Sequence, residues 1–133
     1  FERTFAADAP AFLADHVVHG APIVPAAAFA ELALAAAVES GSAPPLALEA
    51  FAVEAALALD DVGHAVQTSV ERGAARRVTV HARRVDGPWR RHASARVCAA
   101  PSIRAAVDLA AWRGASPSEV AVDEVYGALA RLG

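Results

Sequence analysis

Histidine is the residue type in this chain best suited to proton transfer, because an imidazole titrates near neutral pH. The chain has five histidines. His16 differs from the others in its setting, since it begins a run that fits H-x-x-x-G-x-x-x-x-P, with Gly20 and Pro25 at the other fixed positions. We therefore interpret His16 as an acid–base residue and expect structural roles for the three histidines in predicted strands, which are His64, His81 and His92.

The residues that follow His16 supply the other groups that such chemistry needs. Gly20 lets a backbone approach a ligand closely. Pro25 precedes a predicted helix, and a helix start offers unpaired N–H groups and a positive dipole end, here at Ala26. This set suits removal of a proton next to a thioester carbonyl, whose developing charge the N–H groups stabilise. His16 is the predicted catalytic residue, and Gly20, Pro25 and Ala26 are the predicted substrate-binding positions.

These residues must be positioned by the elements that follow them. The run from Ala26 to Glu39 is predicted to be a helix, with Pro25 at its first helical position, where proline costs no hydrogen bond. Alanine has the highest helix propensity, and Gly41 supplies the stop. Only Glu31 and Glu39 are charged in this run. We therefore expect the helix to be buried on nearly every side.

Strands are predicted on both sides of this helix. Residues 1–6 alternate as a short strand does, and residues 11–20 are predicted to be a connector. An antiparallel meander is expected from 46–59, 64–71, 76–84 and 89–98, with a hairpin turn at 86–88, and further helices from 103–112 and 122–132. A helix so apolar needs a curved sheet around it. The expected class is α+β, a hotdog fold in which a curved antiparallel sheet wraps around a long central helix.

Composition excludes several classes of function. The 133 residues fit one compact domain, and a hydrophobic fraction of 56% is enough for a core. A net charge of −3 gives no electrostatic footprint for nucleic acid, and no stretch is a signal peptide or long enough to span a membrane. The one cysteine, Cys98, predicts a small buried thiol and a reducing, cytoplasmic compartment. Because no initiator Met is present, we expect these residues to be part of a longer polypeptide.

The His16 motif and its flanks resemble the dehydratase domains of modular type I polyketide synthases, in the first of their two fused hotdogs. The resemblance rests on the motif, the Phe29–Ala33 run behind it, and three flanking segments, Phe1–Val18, Trp89–Ala93 and Val122–Gly133. It covers essentially the whole chain. Residues 1–133 are therefore interpreted as the N-terminal hotdog subdomain of a double hotdog.

This resemblance implies dehydration of a β-hydroxyacyl thioester carried on the phosphopantetheine arm of an acyl carrier protein. His16 would match the histidine that removes the α-proton, and an aspartate of the second hotdog would protonate the departing hydroxyl. The implied partners are the carrier protein, the C-terminal hotdog half and a second copy in a homodimer. Neither a metal nor a redox cofactor, a nucleic acid or a membrane is expected.

The sequence departs from the family pattern in three places. Ala26 stands where a glycine often follows the motif proline, and His19 occupies a variable position. The aspartate motif of the second hotdog is absent from these residues, and the aspartates considered lie in no such motif: Asp15, Asp60, Asp61, Asp108 and Asp123. Two alternatives stay open. Relatives with the same histidine shift double bonds or close pyran rings, and a lone hotdog could act as a non-catalytic scaffold.

Overall fold

The computed structural model describes residues 1–71, 73, 76–101, 107–116 and 118–131. The chain divides into two compact units, residues 1–100 and 101–133. The first contains helix α1 (Ala26–Glu39), a short 3₁₀ helix (Ala11–Asp15) and the strands β1 (Glu2–Phe5), β2 (Val17–Val18), β3 (Ala21–Pro22), β4 (Leu46–Val53), β5 (His64–Val70), β6 (Arg76–Arg84) and β7 (Arg90–Ala99). The predicted connector at 11–20 therefore holds a 3₁₀ turn and β2.

Five of these strands form an antiparallel sheet in the order β1-β5-β6-β7-β4. The predicted meander is correct for β5, β6 and β7, and the chain reverses between β6 and β7 at the predicted turn. It is wrong for β4, which pairs with β7 at the sheet edge, with Leu46 opposite Ala99. β4 is also shorter than predicted and ends at Val53. β2 and β3 form a separate hairpin.

Helix α1 begins and ends close to the predicted residues. Pro25 has an extended backbone (φ −67°, ψ 150°), so it lies at the N-cap and not at the predicted first helical position. At the other end Gly41 has φ 89°. The N–H groups of Gly41 and Ser42 donate to the carbonyls of Val38 and Ala37, each at 2.9 Å. These two bonds form the Schellman pattern, which requires a left-handed residue after the helix.

The burial of α1 differs from the prediction. The helix packs against β4, β5, β6 and β7, and its buried side chains are Phe29, Ala33, Ala36 and Ala37. The side chains of the remaining face are exposed, namely Ala26, Ala27, Glu31, Ala35, Val38 and Glu39. The prediction that α1 is buried on nearly every side is wrong for this chain by itself, because one five-stranded sheet covers one side of a helix.

The core lies between α1 and the sheet. Phe29 and Leu13 are fully buried and pack with Val66 and Val80 of the sheet. A second cluster, centred on Val78, continues the core toward the end of α1. Leu13 comes from the 3₁₀ helix, so the segment just before His16 is fixed by burial.

Residues 101–133 contain two helices, α2 (Leu109–Ala115) and α3 (Val122–Ala130). The carboxylate of Asp108 caps α2 by accepting hydrogen bonds from two backbone N–H groups at 3.0 Å. α2 begins later than predicted, and positions 103–106 of the predicted helix lie outside the described residues. α3 begins at Val122 as predicted, while Leu132 and Gly133 lie outside the described residues. Among the helices described, none is long and apolar enough to cross a membrane.

Candidate active site

His16 lies in an exposed position between the 3₁₀ helix and β2. Its Nδ1 is 2.7 Å from the carbonyl oxygen of Ile23, and the Ile23 N–H donates to the His16 carbonyl at 2.9 Å. Because a carbonyl only accepts hydrogen bonds, Nδ1 carries the hydrogen. The neutral ring therefore has its lone pair on Nε2, which is the nitrogen able to accept a proton.

A two-residue hairpin brings Ile23 back to His16. β2 and β3 pair directly, and the residues between them, His19 and Gly20, have φ values of 50° and 76°. Left-handed values at both central positions define a type I′ turn, which matches the twist of the paired strands. A Cβ added at Gly20 would meet no atom within 4 Å. The turn conformation, and not close packing within the chain, is what requires glycine here.

Replacing Gly20 with alanine tests this turn. We expect Gly20→Ala to lower the free energy of unfolding of the complete domain by about 1–2 kcal/mol, because a Cβ disfavours the left-handed region. Gly114 lies inside α2 and a Cβ there would also meet no atom within 4 Å, so Gly114→Ala should raise the free energy of unfolding by up to about 1 kcal/mol. Urea denaturation measures both. Shifts of the same sign would contradict the assigned turn.

A buried stretch that we call the anchor segment, Leu57–Leu59, holds the residues after β3. Two backbone hydrogen bonds join them, from the Val24 N–H to the Leu57 carbonyl at 2.9 Å and from the Leu59 N–H to the Pro22 carbonyl at 2.8 Å. Leu57 and Leu59 are both buried in the core. Ile23 is therefore fixed on two sides, by the hairpin and by the anchor segment.

The first turn of α1 begins three residues after Ile23. Ala26 and Ala27 are exposed, and their N–H groups are among those that no carbonyl of the helix can reach. The Ala28 N–H already donates to the Pro25 carbonyl at 2.9 Å. Ala26 has helical backbone, so alanine in place of the family glycine is accommodated without strain. The N–H groups of Ala26 and Ala27 can therefore serve as donors to a negatively charged oxygen.

The other histidines have different surroundings. His64 and His92 are only 7% and 5% exposed. His81 is half-buried in β6, and His19 is exposed in the hairpin turn. These positions agree with the structural roles expected for the three strand histidines. The feature that sequence reasoning did not find is the Ile23 carbonyl, which no residue type could have revealed.

The remaining reactive groups have separate local contacts. Asp60 pairs with Arg84 at 2.9 Å and accepts two backbone hydrogen bonds within its own turn. Cys98 is half-buried, less than predicted, because it lies on the outer side of β7. Burial raises the pKa of its thiol, and the nearby Glu49 carboxylate raises it further, so the thiol is a weak nucleophile near neutral pH. Within the described ranges, no group of three His, Cys, Asp or Glu side chains is arranged to hold a metal ion.

Comparison with known proteins gives the family. The model of the polyketide synthase dehydratase domain matches residues 1–83. The phenolphthiocerol/phthiocerol polyketide synthase of Mycobacterium tuberculosis contains a polypeptide that is 38% identical over 131 residues, which cover 92% of this chain and 7% of that polypeptide. The chain thus spans a small part of that relative.

Two solved structures extend the comparison. A trans-AT polyketide synthase dehydratase domain from Brevibacillus brevis superposes with a TM-score of 0.87 at 19% identity, over 99% of this chain and 50% of that one. A bifunctional dehydratase-cyclase domain from ambruticin biosynthesis gives a TM-score of 0.65 at 37% identity, over 75% of this chain and 37% of that one. The chain spans half or less of these solved domains. The resemblance seen in the sequence is confirmed: this chain has the hotdog fold and belongs to the polyketide synthase dehydratase domain family.

Proposed function

We propose that this chain supplies the general base for dehydration of a β-hydroxyacyl thioester on an acyl carrier protein during polyketide chain processing. The observation that carries the proposal is the 2.7 Å hydrogen bond from His16 Nδ1–H to the Ile23 carbonyl. It holds an exposed imidazole in the tautomer whose Nε2 accepts a proton. The same stretch of backbone leads directly into the exposed N–H groups at the start of α1.

In the proposed reaction, Nε2 of His16 removes a proton from the α-carbon. The electron pair of the broken C–H bond forms the α,β double bond, and the β-hydroxyl receives a proton and leaves as water. The N–H groups of Ala26 and Ala27 stabilise the charge that develops on the thioester oxygen, with Gly20 and Pro25 shaping the approach of the substrate. Elimination of water is redox-neutral, and we propose no cofactor beyond the phosphopantetheine arm of the carrier protein.

The proton for the departing hydroxyl comes, in this proposal, from an aspartate of a second hotdog half. Two aspartates of this chain already have structural contacts, since Asp60 pairs with Arg84 and Asp108 caps α2. The exposed face of α1 and the exposed apolar side chains next to His16, which include Phe12, Val17 and Val18, support a site completed by further chain. We therefore propose residues 1–133 as the N-terminal half of a double hotdog that dimerises in the cytoplasm.

Product analysis on the complete domain tests the proposed reaction. The domain is incubated with a β-hydroxyacyl carrier protein, and the carrier-bound product is analysed by intact mass spectrometry and ultraviolet absorbance. We expect the loss of one water and the absorbance of a conjugated enoyl thioester. Recovery of unchanged substrate from a folded domain would contradict the dehydratase assignment and favour the scaffold alternative.

The match to the dehydratase-cyclase domain from ambruticin biosynthesis favours one second candidate. A cyclase adds a hydroxyl of the same acyl chain to the enoyl thioester, so the product keeps the mass of the enoyl form and loses its conjugation. A substrate with a distal hydroxyl separates the two reactions by absorbance at equal mass. A double-bond isomerase also removes conjugation, but its product retains an alkene that hydrogenation reveals.

A further inference from the structure

His92 is a buried polar residue that the proposed mechanism does not use. It is 5% exposed and is the extra residue of β7 where the register with β6 shifts. Its Nδ1 lies 3.0 Å from the carbonyl oxygen of Ala55, so Nδ1 carries the hydrogen of this bond. The His92 carbonyl accepts from the N–H groups of Glu54 and Ala55 at 2.8 and 3.3 Å. Three hydrogen bonds thus join His92 to the residues directly after β4.

The residues held by His92 lead into the anchor segment. Ala55 is two positions before Leu57, the first residue of that segment. The anchor segment is hydrogen-bonded to the residues on both sides of Ile23, and the Ile23 carbonyl is the acceptor that holds His16. A short path of backbone and hydrogen bonds therefore runs from the His92 ring to the proposed base.

The ring of His92 also contacts the first turn of α1. It stacks on the ring of Phe29, with centroids 6.3 Å apart and planes inclined by 14°. Phe29 is fully buried, so this contact fixes the helix start from the core side. One side chain thus touches both the segment behind His16 and the helix that presents the proposed N–H donors.

We infer that His92 is a positioning residue, which sets the placement of His16 relative to the start of α1. It acts through the Ala55 hydrogen bond and the Phe29 stack, takes no proton and contacts no substrate. This inference rests on the proposed function of His16. A displacement of a reacting group by about 1 Å lowers a rate by as much as about 10²-fold, which gives the scale of the effect.

Two substitutions in the complete domain separate the hydrogen bond from the stack. His92→Phe keeps a ring against Phe29 and removes the donor to Ala55, whereas His92→Asn keeps a donor near the Nδ1 position and removes the ring. We expect His92→Phe to lower kcat about 10- to 100-fold with little change in KM, since it affects the transition state and not substrate binding. His92→Asn should recover much of that loss.

Val78→Ala is the matched control. Val78 is fully buried in a separate core cluster, so its truncation destabilises the domain without touching the path from His92 to His16. We expect the control to keep the wild-type kcat at temperatures where it is folded. A kcat loss in Val78→Ala as large as in His92→Phe would overturn the inference, because general destabilisation would then explain both.

Nitrogen-15 NMR of histidine-labelled protein reads the His16 tautomer independently of activity. We expect the Nδ1–H form in the wild type and in Val78→Ala, and a shift toward a mixture of tautomers in His92→Phe. Wild-type kcat and a wild-type His16 signal in His92→Phe overturn the positioning role and leave the proposed function intact. A wild type that does not dehydrate, together with the shifted signal in His92→Phe, supports the positioning role and rejects the proposed function.

If His92→Phe does not fold, His92→Asn decides the question through the same spectrum. It retains the donor to Ala55, so a wild-type His16 tautomer is expected. A His16 signal equally mixed in a folded His92→Asn and in the Val78→Ala control would overturn the inference.

Discussion

His16→Phe in the complete domain is expected to lower kcat/KM for a β-hydroxyacyl carrier-protein substrate by about 10²- to 10⁴-fold, the range that a general base contributes. The replacement removes the nitrogen that accepts the α-proton and leaves the exposed position filled. The lost hydrogen bond to Ile23 is a single exposed one, worth about 0.5–1.5 kcal/mol of stability. The domain should therefore remain folded, and mass spectrometry of the carrier-bound product measures the loss.

Two further variants show whether the effect belongs to the base or to the hairpin. His16→Asn keeps a donor toward the Ile23 carbonyl but has no nitrogen that accepts a proton, so we expect it to be as inactive as His16→Phe. His19→Asn changes a histidine in the same hairpin, at a left-handed position that asparagine tolerates well, and should keep activity. If His19→Asn were as inactive as His16→Phe, the assay would be reporting hairpin integrity, and the assignment of His16 as base would lose its support.

Phe29→Ala is expected to give the largest loss of stability, about 3–5 kcal/mol. The Phe29 side chain is fully buried between α1 and the sheet and stacks on His92, so its removal takes away buried apolar area and leaves a cavity. The total stability of a domain is only about 5–15 kcal/mol, and the variant should therefore be marginally folded. Urea denaturation of the complete domain measures the change.

Phe12→Ala is the matched control for this experiment. Phe12 is 57% exposed, and a substitution at such a position changes the free energy of unfolding by about 0.5 kcal/mol or less. Equal losses for the two phenylalanines would mean that Phe12 is covered in the complete domain, and the difference in burial described for this chain would then not hold there.

The ends of α1 could be predicted from the sequence better than its burial. Pro25 and Gly41 act within one turn of backbone, so their residue types alone marked where the helix starts and stops. Which face the sheet covers could not be predicted, because an alanine-rich helix has no polar stripe to identify its exposed side. The pairing of β4 with β7 was equally out of reach, since it joins distant residues that share no local pattern.

The candidate site was only partly readable from the sequence. The spacing of His16, Gly20 and Pro25 identified the proposed base, and this assignment stays a prediction. The hairpin had a signal, because a His-Gly pair between two apolar pairs suits left-handed turn positions. The acceptor at Ile23 had none, since every residue carries a carbonyl and only the fold selects one of them.

That acceptor has a consequence for how this site diverges among relatives. Any amino acid at position 23 presents the same main-chain oxygen, so exchanging the isoleucine alters the nearby surface while the imidazole keeps its orientation. Mutations there can change which acyl chains are accommodated without a compensating change elsewhere. Selectivity and proton transfer are thus inherited separately, and a randomised library at position 23 offers a way to vary the first while preserving the second.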